Sequence, residues 1–143
     1  MTERVRAVLI TPATTLLLIK RVKPGIPAYW VVPGGGVEPT DRDHEDALRR
    51  EIREEIAGEI GTPRLLCTLT DGEESQHFYI ADIKMWSFED RAGPEFSQEG
   101  RGEYLLDEIP LTAEALRQVN LKPDEITAVL IDALATGQIP AAV

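Results

Sequence analysis

Glu51, Glu54 and Glu55 follow directly on Arg50, and a run of three glycines, Gly34-Gly35-Gly36, stands upstream of them. In a helix, positions i, i+3 and i+4 share a face, so the three carboxylates are expected along one arc. Like charges at that spacing disfavour the isolated helix by about a few tenths of a kcal/mol per pair, a cost that a bound cation reverses. Oxygen-only donors suit Mg²⁺ or Mn²⁺, and Mg²⁺ typically joins a few carboxylates to water and substrate phosphates. Zinc is disfavoured because the sequence shows no Cys/His cluster. The glycines let a backbone approach a ligand closely, and a carbonyl among them is a further candidate ligand. Together the two segments point to metal-assisted phosphate chemistry. Arg50 is placed to orient or pair with Glu51, whereas Arg53 falls on a different arc and reads as solvated.

The carboxylates need a rigid helix to carry them. Asp43 to Ile56 contains no Gly or Pro, and Leu48, Ile52 and Ile56 recur at the helical period with Asp41 or Asp43 available as a cap. One stripe can pack on a sheet while the neighbouring arc faces a cleft. Gly58, Gly61 and Pro63 end that helix. Upstream, Val5 to Ile10 and Leu16 to Lys20 read as strands joined by a short turn, and Tyr29 to Val32 as a strand that Pro33 stops before a glycine turn. Downstream, Arg64 to Leu69 and Gln76 to Trp86 flank Asp71-Gly72-Glu73-Glu74 as a second hairpin. Glu89 to Gly102 reads as an exposed loop, Glu103 to Leu106 as a short strand, and Ala113 to Val119 and Pro123 to Thr136 as helices. Strands, helix, strands and a C-terminal helix make an α/β class with helices on the faces of a sheet.

Length and composition set the outer bounds. The 143 residues suit one domain, 1–143, and 43% hydrophobic with 28% charged residues is ordinary globular composition. A net charge of −10 argues against a long nucleic acid as partner, since duplex binding rests on Lys and Arg neutralising phosphates. A small nucleotide stays compatible, because a bound divalent cation inverts the local sign. Cys67 is the single cysteine, which removes any internal disulfide and suits a reducing cytoplasm. The first residues resemble no signal peptide, and apolar runs such as Leu16 to Ile19 are far shorter than a membrane span, so a soluble, membrane-free protein is expected. The sequence leaves a homodimer open.

Gly35, Asp41 and Arg50-Glu51-Ile52-x-Glu54-Glu55 resemble the box motif of the Nudix hydrolase superfamily, MutT-like proteins in which Gly, five residues, Glu, seven residues, Arg-Glu, an apolar residue, any residue, Glu-Glu, any residue, Gly and an apolar residue follow one another. The likeness is strongest from Trp30 to Glu55. It implies a Nudix-type α/β/α sandwich with a mixed sheet and a catalytic helix after the Gly-rich loop. It implies catalysis by Arg50, Glu51, Glu54 and Glu55, with metal held by those three glutamates and the Gly34 carbonyl. The implied reaction is hydrolysis of a nucleoside diphosphate linked to another group, by water attack on phosphorus. Two irregularities accompany the match. Asp41 replaces the first Glu with one extra residue before Arg50, whereas counting back from Arg50 puts Arg42 there. Ala57 replaces the Gly, with Gly58 one position late, which is expected to shift the helix stop by one.

Other candidates are weaker. Gly34, Gly35 and Gly36 are expected to meet the substrate phosphates. Lys20, Arg21 and Lys23 follow a strand toward the site, with Arg21 carried as the phosphate contact against solvation as the plainer role. Glu99 and Glu103 are candidates for an extra ligand or base. His44 and His77 receive no role, lacking a Cys or second His at ligand spacing. Tyr29, Trp30, Phe78, Tyr79 and Trp86 read as core rather than base-stacking platforms. Beside the Mg²⁺-dependent pyrophosphohydrolase stand two alternatives: a Nudix-like module that binds or senses a nucleotide without cleaving it, and an acidic protein-interaction domain.

Overall fold

Among the described residues of the computed structural model, 2–87 and 102–142, the elements run in the order β1 (Thr2–Ile10), β2 (Thr15–Val22), β3 (Tyr29–Val31), β4 (Gly34–Gly36), α1 (His44–Ile56), β5 (Glu59–Ile60), β6 (Arg64–Asp71), β7 (Glu74–Met85), β8 (Glu103–Pro110), α2 (Ala113–Gln118), β9 (Leu121–Lys122) and α3 (Ile126–Ala135). They fall into two units, Met1–Leu9 with Pro33–Gly93 and Ile10–Val32 with Pro94–Val143. Glu99 and nearly all of the loop predicted over Glu89 to Gly102 lie outside the described residues.

In the first unit the later part of β1 is mostly apolar, and Val5, Ala7, Val8 and Leu9 are fully buried. The hairpin predicted around Asp71-Gly72-Glu73-Glu74 forms, with Asp71 opposite Glu74 in the antiparallel β6–β7 pair and Gly72 at φ 61° in the turn. The glycine triplet departs from expectation. Rather than a free turn, it is a strand antiparallel to β1, with Gly36, Gly35 and Gly34 opposite Arg4, Val5 and Arg6. Gly34 sits at φ 149°, and a Cβ there would collide with the Val5 carbonyl oxygen, so only glycine fits.

Helix α1 buries Ala47, Leu48, Ile52 and Ile56 completely, and each Leu or Ile so removed from water contributes about 1.5–3 kcal/mol. Asp43, not Asp41, caps its start, its carboxylate accepting from the Asp46 amide at 2.8 Å. The expected shift of the helix stop does not occur. The helix ends at Ile56, and Ala57 itself adopts the left-handed conformation, φ 50° and ψ 38°. The Ala57 and Gly58 amides return to the Arg53 and Ile52 carbonyls at 3.0 and 3.2 Å, a Schellman ending that costs about 1–2 kcal/mol when a residue with a Cβ occupies the left-handed position. Gly58 serves packing, since a Cβ there would lie 2.8 Å from Ile83 Cδ1.

In the second unit β2 pairs antiparallel with β8, from Thr15–Pro110 to Val22–Glu103, and with β3. Strand β9 joins β3 in parallel, which makes the sheet mixed. Strand β8 is longer than predicted because all eight residues find partners on β2. Thr112 caps α2, and α3 starts at Ile126, after Pro123. Leu116, Leu121, Ile126, Leu130 and Ala133 are buried from this unit's helices and strand. Among the described residues no helix is long and apolar enough to cross a membrane.

Candidate active site

Arg50 is the hub of a charged cluster in the first unit. Its guanidinium donates from Nε and Nη2 to the two oxygens of Asp41, at 3.0 and 2.9 Å, in a fork-to-fork pair. Nη1 donates to Glu51 Oε1 at 3.0 Å and to Glu54 Oε2 at 3.4 Å, and Nη2 also reaches the Gly36 carbonyl at 3.0 Å. Glu38 stands 3.6 Å away. The bond to Asp41, ahead of the charge of Glu51, raises the Arg50 pKa against the opposing effect of burial. The same bond lowers the Asp41 carboxyl below the ordinary carboxylate range.

Asp41, the residue matched to the first acidic position, is thus paired with Arg50. Arg42, the rival at that position, projects with 85% of its side chain exposed and reaches Asp46 at 3.8 Å.

The three glutamates do not make one uniform face. Glu51 and Glu54 lean on Arg50, while Glu55 turns inward, 8% exposed, and accepts the Gly34 amide at 2.6 Å. Gly35 makes room for this arrangement: a Cβ on it would lie 2.5 Å from the Glu51 carboxylate carbon and Oε2. The glycine strand therefore touches both arms of the cluster.

Sequence reasoning missed Arg6. It is half-buried on β1, donates to the Gly34 carbonyl at 3.3 Å and is oriented by Gln76 Oε1 at 3.1 Å. Burial lowers its pKa, with the charges of Glu55 and Glu51 acting the other way. A lone arginine inside the apolar run Val5-Arg6-Ala7-Val8-Leu9-Ile10 was the available signal. Counting Glu38, Asp41, Glu51, Glu54 and Glu55 against Arg6 and Arg50, the carboxylates exceed the guanidiniums by three. An oxygen-donor set with that surplus of negative charge fits a hard divalent cation.

Several other expected residues belong to the second unit. Arg21 lies in the second unit, its guanidinium 3.6 Å over the Tyr104 ring. Lys20 and Lys23 lie over Trp30 and Tyr29, at 5.1 and 5.7 Å, and Glu103 is an exposed residue opening β8. Of the aromatics read as core only Phe78 is fully buried, while Tyr29, Trp30, Tyr79 and Trp86 are half-buried. The Trp30 indole N–H explains its position, donating to Asp107 at 2.9 Å.

The NUDIX domain family model matches residues 1–129. The chain belongs to the NUDIX domain family. Among curated relatives, the Escherichia coli K12 protein named nucleoside triphosphatase NudI is 31% identical over 100 residues, 68% of this chain and 57% of that protein. A Salmonella arizonae protein of the same name is 35% identical over 79 residues, 55% of this chain and 43% of its own. The chain spans about half the length of these relatives. A MutT structure from work on Aliivibrio salmonicida and Vibrio cholerae superposes with a TM-score of 0.66 at 18% identity, covering 92% of this chain and 97% of that one. An ADP-ribose pyrophosphatase from Streptococcus suis gives 0.62 at 16% identity, covering 92% and 90%. At such identities the likeness concerns the fold, which is α/β with a mixed sheet, as the NUDIX resemblance implied.

Proposed function

We propose that this NUDIX protein is a Mg²⁺-dependent pyrophosphohydrolase that cleaves a nucleoside diphosphate linked to another moiety. The observation that carries this reading is the Arg50 cluster, in which Glu51 and Glu54 share one guanidinium nitrogen while Glu55 is tied to the glycine strand. Glu51, Glu54 and Glu55, with the Gly34 carbonyl, are the residues to hold Mg²⁺, or Mn²⁺ in its place. When bound, such an ion neutralises phosphate charge and acidifies water.

In this reading the chain's own groups have separate tasks. Arg50 holds Glu51 and Glu54 in position and, through the Gly36 carbonyl, fixes them relative to the glycine strand. Gly34, Gly35 and Gly36 give the phosphates a close approach to backbone. Water attacks phosphorus, a new P–O bond forms as the anhydride P–O bond breaks, and a carboxylate takes the proton that water releases. Glu54, whose side chain is 37% exposed against 13% for Glu51, takes that proton in this reading. The names of the relatives favour nucleoside triphosphates as first substrates to try.

The family match runs through both units, which supports a single catalytic domain over 1–143. Small nucleotides, not long nucleic acids or membranes, are the proposed partners, in the cytoplasm, with the homodimer as one assembly to measure. The test is release of phosphate or nucleotide from nucleoside triphosphates, dinucleoside polyphosphates, ADP-ribose and nucleotide sugars with Mg²⁺. Turnover in wild type that Glu54→Gln lowers by at least 100-fold is expected. Equal behaviour of the two across the panel rejects catalysis at this cluster. Tight nucleotide binding without turnover under any divalent ion would instead favour the sensing module, whose motivation is the altered first acidic position at Asp41.

A further inference from the structure

Away from the Arg50 cluster, three ligand-type side chains that are distant in sequence converge within the first unit. Glu3 lies on β1, His44 opens α1 and His77 lies on β7, and one ligand atom from each lies within 4.8 Å of the others. His77 Nε2 stands 3.2 Å and His44 Nε2 3.7 Å from the same oxygen, Glu3 Oε1. The two rings are 4.5 Å apart, tilted by 37°.

The other nitrogen of each ring is already engaged. His44 Nδ1 meets the Tyr79 hydroxyl at 3.0 Å, and His77 Nδ1 meets the Thr68 hydroxyl at 3.0 Å. A partner on Nδ1 is the outer-shell arrangement that fixes a ring and presents Nε2 as the ligating atom. Ligand atoms about 2.0–2.1 Å from a tetrahedral ion stand roughly 3.3–3.4 Å from one another. The two His–Glu separations bracket that edge, and Glu3 is exposed and long enough to adjust.

We propose that Glu3, His44 and His77 form a second metal site, for one Zn²⁺-class ion with water completing the shell. Two imidazoles and a carboxylate select a borderline transition metal, whereas the oxygen-only cluster selects Mg²⁺. Such an ion ties three segments together. The Glu3 carbonyl accepts the Val37 amide at 2.9 Å, just beyond the glycine strand, and His44 begins the helix that carries Arg50, Glu51, Glu54 and Glu55. The ion therefore braces the helix start against the exit of the glycine strand, and its binding does not depend on the catalytic reading.

The experiment is calorimetric titration of Zn²⁺ into the full chain in excess Mg²⁺, which holds the carboxylate cluster. Wild type should bind one Zn²⁺ per chain. His44→Gln and His77→Gln should each weaken it at least tenfold, and Tyr79→Phe by roughly 10–100-fold through loss of the outer-shell hydroxyl. Glu54→Gln should leave it unchanged. Wild type without Zn²⁺ binding, or both histidine variants with the wild-type isotherm, overturns the proposal. Because the chain has two histidines, imidazole NMR on wild type gives a readout free of variants: both ring signals must move together on stoichiometric Zn²⁺, and stationary signals, which would leave the rings holding protons alone, refute it.

Discussion

Replacing Arg50 by Lys keeps the charge of the hub and removes its fork. The guanidinium donates to Asp41 at 3.0 and 2.9 Å, to Glu51 at 3.0 Å, to the Gly36 carbonyl at 3.0 Å and to Glu54 at 3.4 Å. A lysine ammonium is a point donor and satisfies only part of this set. Glu54 is 37% exposed, so its contact adds close to nothing. The Asp41 side chain is 4% and that of Arg50 18% exposed, so a lost charged hydrogen bond there counts at about 1.5–3 kcal/mol. Allowing lysine one retained contact, the net loss is about 2–3 kcal/mol. For a chain of this length that lowers Tm by roughly 5–10 °C. Thermal and urea unfolding of Arg50→Lys, Asp41→Asn and the double variant, in metal-free buffer, gives the pair's coupling free of other contacts. Coupling of about 1–2 kcal/mol is expected. A value below about 0.5 kcal/mol refutes the claim that Asp41 anchors the hub.

Gly35→Ala should fold, because the clashing atoms are the far end of the Glu51 side chain, yet lose at least tenfold in Mg²⁺ affinity by calorimetry as that carboxylate is displaced. Gly34→Ala meets the backbone of β1 instead and should fail to give soluble folded protein in a circular-dichroism comparison. Ala57→Gly relieves the left-handed position and should stabilise by about 1 kcal/mol in urea unfolding; no gain would mean that the strain is absorbed elsewhere. The Asp41 carboxyl is held below its ordinary range by Arg50, so its contribution is present above about pH 4 and disappears as pH falls through the lower folded value. The stability difference between wild type and Asp41→Asn should accordingly stay level from about pH 7 to 5 and shrink below about pH 4.

Much of the site was legible because it is local. Arg50, Glu51, Glu54 and Glu55 sit on one helix, whose period and buried stripe of Leu48, Ile52 and Ile56 follow from side-chain polarity and 3.6-residue geometry. The composition likewise determined an acidic, globular protein, the order of strand and helix patterns its α/β class, and the box residues its NUDIX resemblance. What the periodicity leaves unspecified is which rotamer each side chain takes. Glu55 turns to the Gly34 amide while Glu51 and Glu54 turn to Arg50, a division that depends on where β4 lies. The glycines illustrate the same limit. Their freedom suggested a turn, but pairing with β1 satisfied their backbone groups and drew them into the sheet.

Contacts between distant segments were illegible for a plain reason: sequence spacing carries no information about register between elements. Arg6 reaches the Gly34 carbonyl only once β1 and β4 are aligned. His44 and His77 show no ligand spacing along the chain, yet the packing of α1 beside β7 and β1 stacks their rings and aims both Nε2 atoms at Glu3. The sequence by itself determined the helix, its carboxylates and the chemistry they suit; the tertiary structure alone decided which of them Arg50 holds, that Ala57 ends the helix in a strained conformation, and that two histidines and a glutamate meet. Local periodicity is encoded residue by residue, whereas convergence is a property of packing, set by all the buried surfaces at once.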